Sequence, residues 1–306
     1  MAPLNPAPSS PATTSLATGT SACVDIRTTP SPYPLLKTRR RTGPVIDTPS
    51  KLVSMTHTVE ADDSVLTKHY TSWSRDEPGR EWAALTLLSR QVPDLVPAPL
   101  ARGTDSQPWV SMSVLPGLPL GGSLTPEQLD GLGEALGALW STDPDGLPSV
   151  GVPAVIDRTS RSLAVLREGD GVIADAATAA ADWLGTAVEV LTAVQDPVVG
   201  HGDPNLANYL WDGTRIRIVD FEDAGLGDLT LELANLVEHL SGRETDWSTL
   251  LSRFPVDPER FRAARSLWAA FSLTLIGPGG PSAARNPPGT AEAQAERVMS
   301  LVRPTA

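Results

Sequence analysis

The chain has 306 residues, of which 41% are hydrophobic and 20% are charged, with a formal net charge of −12 at pH 7. This length allows two domains, because single hydrophobic cores seldom grow beyond about 250–300 residues. The acidic balance argues against a broad nucleic-acid surface, which needs clustered Lys and Arg, and no apolar run approaches the roughly 18 residues of a membrane-spanning helix.

The N-terminal segment 1–50 is rich in Pro, Ser and Thr and carries neither helical nor alternating periodicity. It is predicted to be a disordered extension, since such a composition buries little apolar surface. The basic-then-apolar pattern of a secretory signal is missing. Cys23 is the only cysteine, which excludes an intrachain disulfide and a four-cysteine zinc site. We therefore expect a cytoplasmic protein with no nucleic-acid or membrane partner.

Residues 51–117 are predicted to form a small β-rich domain. Strands are expected at 52–59 and 65–70, and the turn-forming composition of 60–64 should join them as a hairpin. Lys68 lies in the second of these strands, among apolar neighbours.

A helix and a further strand follow the predicted hairpin. Apolar residues recur at three-residue steps from Trp82 to Leu88, which predicts a helix over 77–90. The segment 109–115 is a strand candidate, and Pro116 and Gly117 end it. A domain boundary is expected here.

The remaining residues, 118–306, are predicted to be mainly helical. Thr125, Pro126 and Gln128 supply an N-cap, a proline at the first helical position and the glutamine of a capping box. Most of 125–195 is predicted to be helical, and a strand-rich island follows at 198–222. Later helices are expected at 231–240, 257–275 and 290–302.

Polar groups bracket a hairpin within this island. The segment His201-Gly-Asp-Pro-Asn-Leu-Ala-Asn208 precedes a turn at Asp212-Gly213, and Asp220-Phe-Glu-Asp223 follows it. The turn should bring Asn208 and Asp220 together, and their carboxamide and carboxylate oxygens suit Mg²⁺ held with substrate phosphates. Asp203 is then free to orient a hydroxyl and accept its proton, as phosphoryl transfer requires.

This pattern of His-Gly-Asp-x₄-Asn followed by Val-Asp-Phe-Glu-Asp resembles the aminoglycoside phosphotransferase and related small-molecule kinase superfamily. The resemblance continues through Gly-Leu-Gly-Asp228 and Glu232-Leu-Ala-Asn. It implies an α+β, two-lobed protein-kinase-like fold, with a small β-rich N-terminal lobe carrying one helix and a larger, mainly helical C-terminal lobe. It also implies ATP and Mg²⁺ as cofactors.

The resemblance assigns roles to matching residues. Asp203 is implied as the catalytic base, Asn208 and Asp220 as Mg²⁺ ligands, and His201 as a structural residue. Protein kinases are disfavoured because no Ala-Pro-Glu segment follows Asp220 and only about ten residues separate it from Leu231.

The N-terminal half of the site rests on Lys68. Kinase-like enzymes use a strand lysine to contact the α- and β-phosphates of ATP and pair it with a helix glutamate. Glu81 is the preferred partner, although Glu77 lies one helical turn earlier on the same face. The alternative is a strand lysine that merely extends its amine to solvent.

The resemblance to the family extends to the hinge between the lobes but is weaker at the phosphate loop. Segment 111–117 resembles the interlobe hinge, where backbone groups from Ser113 to Leu115 would bind adenine. The loop at 54–58 lacks the glycine that the family usually carries there. This departure leaves open a noncatalytic nucleotide-binding protein.

The acceptor is predicted from local charge. Glu222, Asp223 and Asp228 form an acidic cluster near the site, which would suit a cationic or hydroxylated small molecule. The expected reaction moves the γ-phosphate of ATP to a hydroxyl of an aminoglycoside-like antibiotic or related metabolite. Choline, fructosamine and homoserine kinases share the scaffold and remain alternatives, because a fold does not name its substrate.

Overall fold

A computed structural model describes residues 50–53, 57–149, 151–193 and 195–303. The predicted disordered extension lies outside these residues, apart from Ser50. The fold is α+β, with a five-stranded antiparallel sheet and one helix followed by a larger helical part. The predicted fold class is therefore confirmed.

The N-terminal lobe is the five-stranded sheet with its helix α1. Its strands are β1 (Ser50–Val53), β2 (His57–Ala61), β3 (Val65–Tyr70), β4 (Pro99–Gly103) and β5 (Trp109–Ser113), in the order β1-β2-β3-β5-β4, and α1 spans Glu77–Gln91. Each paired neighbour runs antiparallel.

The single strand predicted at 52–59 is wrong. The segment contributes to two strands that pair with each other, with Val53 opposite Thr58. The alternating pattern continues through both strands with no Gly or Pro between them, so periodicity alone did not reveal the break. The hairpin of β2 with β3 is present, and the Asp62 carboxylate forms its turn by accepting from the N–H groups of Ser64 and Val65, each at 2.7 Å.

Helix α1 buries a carboxylate at a core position. Glu81, Leu85 and Leu88 follow the i, i+4, i+7 spacing of one helix face, and all three are fully buried. Trp82, from the predicted stripe, is half-buried under Arg102, whose guanidinium lies 5.1 Å from the ring centroid. A glutamate in the middle of an apolar face requires a buried partner.

The C-terminal part contains the remaining helices of the described chain. They are α2 (Pro126–Trp140), α3 (Val152–Leu166), α4 (Gly171–Thr192), α5 (Leu229–Glu238), α6 (Ser248–Leu251), α7 (Pro258–Ile276) and α8 (Thr290–Val302). The predicted capping box of α2 is confirmed, because Gln128 N donates to Thr125 Oγ1 and Thr125 N donates to Gln128 Oε1. In the described residues, no helix is both long and apolar enough to cross a membrane.

Short strands of this part carry the polar motif. Strands β6 (Leu118–Pro119), β8 (Tyr209–Trp211) and β9 (Ile216–Ile218) form one sheet, and β7 (Pro197–Gly200) pairs with β10 (Gly225–Asp228). One apolar core joins them to the N-terminal lobe, since Leu66 and Leu85 share a buried cluster with Leu132, Ile218 and Phe221. The core thus fixes the motif against the first lobe.

Candidate active site

The predicted hairpin between Asn208 and Asp220 is present. Tyr209 faces Ile218 across the β8-β9 pair, and Val219 N donates to the Asn208 carbonyl at 2.9 Å. At the turn, Asp212 Oδ1 accepts from the N–H of Arg215 at 3.0 Å. The hairpin therefore brings Asn208 and the residue before Asp220 into contact, as the spacing predicts.

Asp203 is held at the edge of this hairpin by amide groups. Asn208 Nδ2 donates to the Asp203 carbonyl at 3.0 Å and lies 3.3 Å from its Oδ2, while Asn205 N lies 3.3 Å from Oδ1. The Asp203 side chain is 41% exposed. Its carboxylate is thus oriented by neighbours and still open to a small molecule.

The histidine and glycine that precede Asp203 are structural. His201 is buried, its Nε2 lies 2.9 Å from the Val219 carbonyl, and its Nδ1 accepts from Asp203 N at 3.3 Å. Gly202 has φ of +81°, and a Cβ there would lie 2.5 Å from the Asp223 carbonyl oxygen. Only glycine fits this close approach of two loops.

Asp220 adopts an unusual backbone conformation. Its φ is +70°, in the left-handed region that a residue with a Cβ seldom occupies. Such a conformation costs of order 1–3 kcal/mol and persists where surrounding structure holds it in place. The surrounding structure therefore holds Asp220 in a strained backbone conformation, which no sequence pattern indicated.

Lys68 joins the N-terminal lobe to Asp220. Its Nζ donates to the two carboxylate oxygens of Glu81 at 3.0 and 2.8 Å and also to Asp220 Oδ1, and the Lys68 and Glu81 side chains are fully buried. Tyr70 Oη donates to the same glutamate. Burial raises the pKa of Glu81, and the Lys68 charge opposes that shift.

The choice between the two helix glutamates is settled by these contacts. Glu77 accepts from Arg75 through N and Nε, at 2.9 and 3.1 Å, whereas Glu81 takes Lys68. Lys68 has no exposed surface, which excludes the alternative in which its amine extends into solvent. What the pair binds stays a prediction.

Two further polar pairs cross between the lobes beside Lys68. His57 Nδ1 lies 3.0 Å from Glu222 Oε2, and Arg75 donates to Asp223 Oδ1. With the Lys68–Asp220 contact, these pairs form what we call the interlobe seam. Burial raises the pKa of Asp223, and the neighbouring guanidinium opposes the shift. Sequence reasoning missed His57 and Arg75, which carry no motif of their own.

The predicted acidic cluster is therefore internally paired. Glu222 and Asp223 belong to the seam, while Asp228 accepts from Arg260 Nη1 at 2.7 Å and from Leu231 N at 3.1 Å. The contacts of Asp228 are those of a helix cap and a buried ion pair. A cationic ligand would have to compete with these partners for each carboxylate.

The residues present fit a divalent cation. His57, Asp220 and Glu222 offer ligand atoms that all lie within 4.8 Å of one another. Because Asn208 Nδ2 donates to Asp203, the amide oxygen is the Asn208 atom left for a cation. Mg²⁺ prefers such carboxylate and amide oxygens to an imidazole nitrogen.

The predicted adenine contacts are placed at the end of β5. Ser113 N donates to the Ala98 carbonyl at 2.9 Å, and Val114 N donates to the Ser64 carbonyl at 3.0 Å. Their N–H groups are thus engaged within the protein. Of the segment 113–115, Leu115 keeps the predicted role of backbone donor to adenine.

His239 lies beside Asp203 and was not predicted. The residue directly follows α5, and its Nε2 is 3.7 Å from Asp203 Oδ1. Burial lowers the pKa of His239; the Asp203 charge opposes this shift and Arg243 reinforces it. Nothing in the spacing of the motif separates this histidine from an ordinary helix-end residue.

Comparison with known proteins assigns a family and a fold. The sequence pattern of the phosphotransferase enzyme family, APH, matches residues 52–270. No curated protein matches the sequence.

Solved structures match over most of the chain. A choline/ethanolamine kinase family protein from Mesorhizobium loti has a TM-score of 0.64 at 18% identity, covering 85% of this chain and 89% of that one. Aminoglycoside 2'-phosphotransferase-IIIa, in its GDP complex, has a TM-score of 0.59 at 17% identity, with coverage of 84% and 92%. A macrolide 2'-phosphotransferase from Brachybacterium faecium has a TM-score of 0.55 at 16% identity, with coverage of 85% and 92%. At these identities the likeness concerns the fold.

Proposed function

The chain belongs to the phosphotransferase enzyme family, APH, and on that premise we propose that it transfers the γ-phosphoryl group of MgATP to a hydroxyl of a small molecule. The observation that carries the proposal is the buried Lys68 amine held between Glu81 and Asp220, with Asp203 held by Asn208 at the same open end of the hairpin. Phosphoryl transfer needs this division between phosphate-binding and hydroxyl-orienting groups.

Asp203 is the proposed catalytic base. Its carboxylate accepts the proton of the acceptor hydroxyl as the oxygen–phosphorus bond forms and the bond from the γ-phosphorus to the β-phosphate oxygen breaks. The products are a phosphate monoester and ADP, and the proton leaves Asp203 to solvent. Little covalent chemistry falls to the protein, so orientation of the hydroxyl is the main task of this residue.

Lys68 is the proposed partner of the α- and β-phosphates. Its amine is already fixed by Glu81, which spares the entropy of ordering a long side chain when nucleotide binds. Backbone groups from Ser113 to Leu115 are the proposed adenine contacts, with the Leu115 N–H as the donor because those of Ser113 and Val114 are engaged within the protein.

Asn208 and Asp220 are the proposed Mg²⁺ ligands, with Glu222 as a neighbouring carboxylate. When bound, Mg²⁺ supplies charge neutralisation on the transferring phosphoryl group. Nucleotide binding should break the Lys68–Asp220 contact, because Lys68 is proposed to bind the α- and β-phosphates and Asp220 to bind Mg²⁺.

The proposed acceptor is an aminoglycoside-like antibiotic or a related hydroxyl-bearing metabolite. Asp223 and Glu222 are the acidic groups beside the reaction centre, but Arg75 and His57 already pair with them. A cationic acceptor would therefore gain less here than the number of carboxylates suggests. A choline-type alcohol is the second acceptor class, in line with the fold shared with a choline/ethanolamine kinase family protein.

The test is ADP release by wild type and Asp203→Asn with MgATP. Acceptors are screened by class, with aminoglycosides, macrolides, tuberactinomycin-like peptides, choline and sugar amines, against a control without acceptor. Loss of a general base lowers turnover by about 10²- to 10⁴-fold. MgATP binding by calorimetry should stay unchanged in the variant, which separates loss of chemistry from loss of nucleotide.

Two outcomes would count against the proposal. Equal acceptor-dependent rates in wild type and Asp203→Asn would remove Asp203 from its role. Tight MgATP binding with no phosphate transfer to any acceptor class would favour the noncatalytic nucleotide-binding protein that the glycine-free segment 54–58 left open.

A further inference from the structure

His239 and Asp203 form an open pair of polar groups, which we call the acceptor edge. The two side chains are 26% and 41% exposed, and Nε2 lies 3.7 Å from Oδ1. This separation exceeds the 2.7–3.2 Å of a direct hydrogen bond. The atoms are close enough for one small polar group to contact both.

The neighbours of His239 determine which ring nitrogen carries the proton. Nδ1 lies 2.7 Å from Ser241 Oγ and 3.3 Å from the Ser241 backbone N–H. That backbone N–H donates, so Nδ1 is an acceptor. Ser241 Oγ accepts from Leu206 N at 2.9 Å, which leaves its own hydroxyl hydrogen free to donate to Nδ1. In a neutral imidazole with Nδ1 unprotonated, the proton resides on Nε2.

The resulting pair joins a donor and an acceptor. Nε2–H of His239 donates, and the Asp203 carboxylate accepts. A hydroxyl is the group that satisfies both at once, because it carries one hydrogen and two lone pairs. An ammonium group would satisfy the carboxylate but would face the imidazole N–H with another donor.

We propose that His239 is a specificity-determining residue that binds the acceptor hydroxyl together with Asp203. The inference rests on the proposed phosphotransferase function and names a further residue of the same site. It selects hydroxyl oxygen over ammonium nitrogen at the position next to the base.

The chemistry balances with His239 as a hydrogen-bond donor only. The acceptor O–H donates to Asp203, one oxygen lone pair accepts from His239 Nε2–H, and the other forms the bond to the γ-phosphorus. The hydroxyl proton ends on Asp203, and the bridging oxygen leaves with ADP. His239 keeps its proton throughout. Burial lowers the pKa of His239, which favours the neutral ring that this role needs.

Ser241 ties this pair to the catalytic segment. Through its Oγ it links His239 Nδ1 to the backbone of Leu206, two residues before Asn208. The imidazole is therefore aligned by the same segment that orients Asp203. Ser241→Ala keeps the imidazole but removes its alignment, which makes it an intermediate test.

The experiment compares His239→Ala and His239→Gln with wild type, using kanamycin A, erythromycin and choline as acceptor probes. His239→Ala should lower kcat/KM for the acceptor about tenfold, the effect of losing one hydrogen bond of typical strength. His239→Gln, which retains an N–H donor, should recover most of that loss, and Ser241→Ala should lose about threefold. The dissociation constant for MgATP should stay within about twofold of wild type in all three.

His69→Ala is the matched control. Its side chain is 30% exposed, and its Nε2 lies 4.0 Å from the Glu60 carboxylate. The exposure and the nearby carboxylate are similar to those of His239, but Glu60 is not the proposed catalytic base. Its acceptor kcat/KM should equal that of wild type. An equal loss in His69→Ala and His239→Ala would contradict the proposal, as would an unchanged kcat/KM in His239→Ala.

Water allows the same comparison when no probe is phosphorylated. It is also a hydroxyl acceptor, so Asp203-dependent ATP hydrolysis should fall in His239→Ala and recover in His239→Gln. If ATP hydrolysis is equal in wild type and His239→Ala but is lost in Asp203→Asn, the role of His239 is overturned. The proposed phosphotransferase function is then still supported. Equal rates in wild type and Asp203→Asn overturn the proposed function, and the inference falls with it.

Discussion

The interlobe seam and the acceptor edge differ in how their charges are arranged. At the seam, Lys68 meets Asp220 with side chains 0% and 11% exposed, and His57 meets Glu222 at 3.0 Å. At the acceptor edge, Asp203 and His239 are partly exposed and 3.7 Å apart. The polar pairs of the seam are largely buried within the protein, whereas the side chains of Asp203 and His239 remain partly exposed.

The difference shows that charge in a sequence does not by itself identify a binding surface. Glu222, Asp223 and Asp228 look like an acidic patch along the chain, yet each has a basic partner in the fold. Among the described residues, the basic side chain paired with Asp203 is His239, at 3.7 Å. We therefore propose the acceptor side from open polar atoms and not from the number of carboxylates.

The strongest break of the seam is Asp220→Ala, which removes the proposed principal carboxylate of the Mg²⁺ site. Mg²⁺-dependent ATP binding should weaken at least about 100-fold, because even indirect partners of metal ligands are worth 10- to 100-fold. Calorimetry with and without Mg²⁺ measures it. Asp228→Asn serves as the acidic control, and comparable Mg²⁺-dependent binding in Asp220→Ala would reject the assignment.

Glu81→Ala should cost about 3 kcal/mol of unfolding free energy. Removing one partner of a buried ion pair leaves an uncompensated charge, which costs about 3–5 kcal/mol. The lower end of this range is expected because Asp220 still pairs with Lys68 in the variant. Urea unfolding measures the change.

A double variant, Lys68→Met with Glu81→Leu, sharpens this prediction. Replacing both charges with apolar groups should recover only part of the stability, because the buried Asp220 then loses its cation and Phe221 N loses its acceptor, and it should not restore ATP binding. A loss larger than that of Glu81→Ala alone would mean that Lys68 contributes more to stability through Asp220 than through Glu81.

Arg75→Ala tests the exposed end of the seam. The Arg75 and Asp223 side chains are 43% and 27% exposed, so solvent screens their pair, and the buried Glu77 still accepts from the backbone N–H of residue 75. The expected stability loss is about 0.2–1 kcal/mol, well below that of Glu81→Ala. Urea unfolding at low and high salt checks it, since salt should reduce the difference. An effect as large as that of Glu81→Ala would remove the contrast between buried and exposed pairs.

The acceptor edge should respond to pH through His239. Burial lowers the pKa of this histidine below its ordinary value near 6.5, so the unfolded chain binds more protons than the folded protein as pH falls below that value. Stability contributed by the neutral ring is therefore present above pH 6.5 and is lost below it. Unfolding midpoints of wild type and His239→Gln between pH 7.5 and 5.5 test this, and the wild type should lose more. Parallel curves would contradict it.

Local features were predictable because their causes are local in the chain. The Asp212-Gly213 turn and the Thr125–Gln128 capping box follow from residues within a few positions of each other. Lys68 and Glu81 were found because a strand lysine and a helix glutamate at this spacing match a known pattern. The break between β1 and β2 was missed because no turn residue marks it.

The sequence by itself determined the fold class, the hairpin that holds Asn208 near Asp220, and the choice of Asp203 as the candidate base. Only the tertiary structure decided that His57 meets Glu222 across 165 positions of sequence, that Arg75 pairs with Asp223, and that His239 lies beside Asp203. Spacing and periodicity encode neighbours along a helix or hairpin. Which side chains meet between lobes depends on how separate elements pack through a shared core, and no local pattern records that.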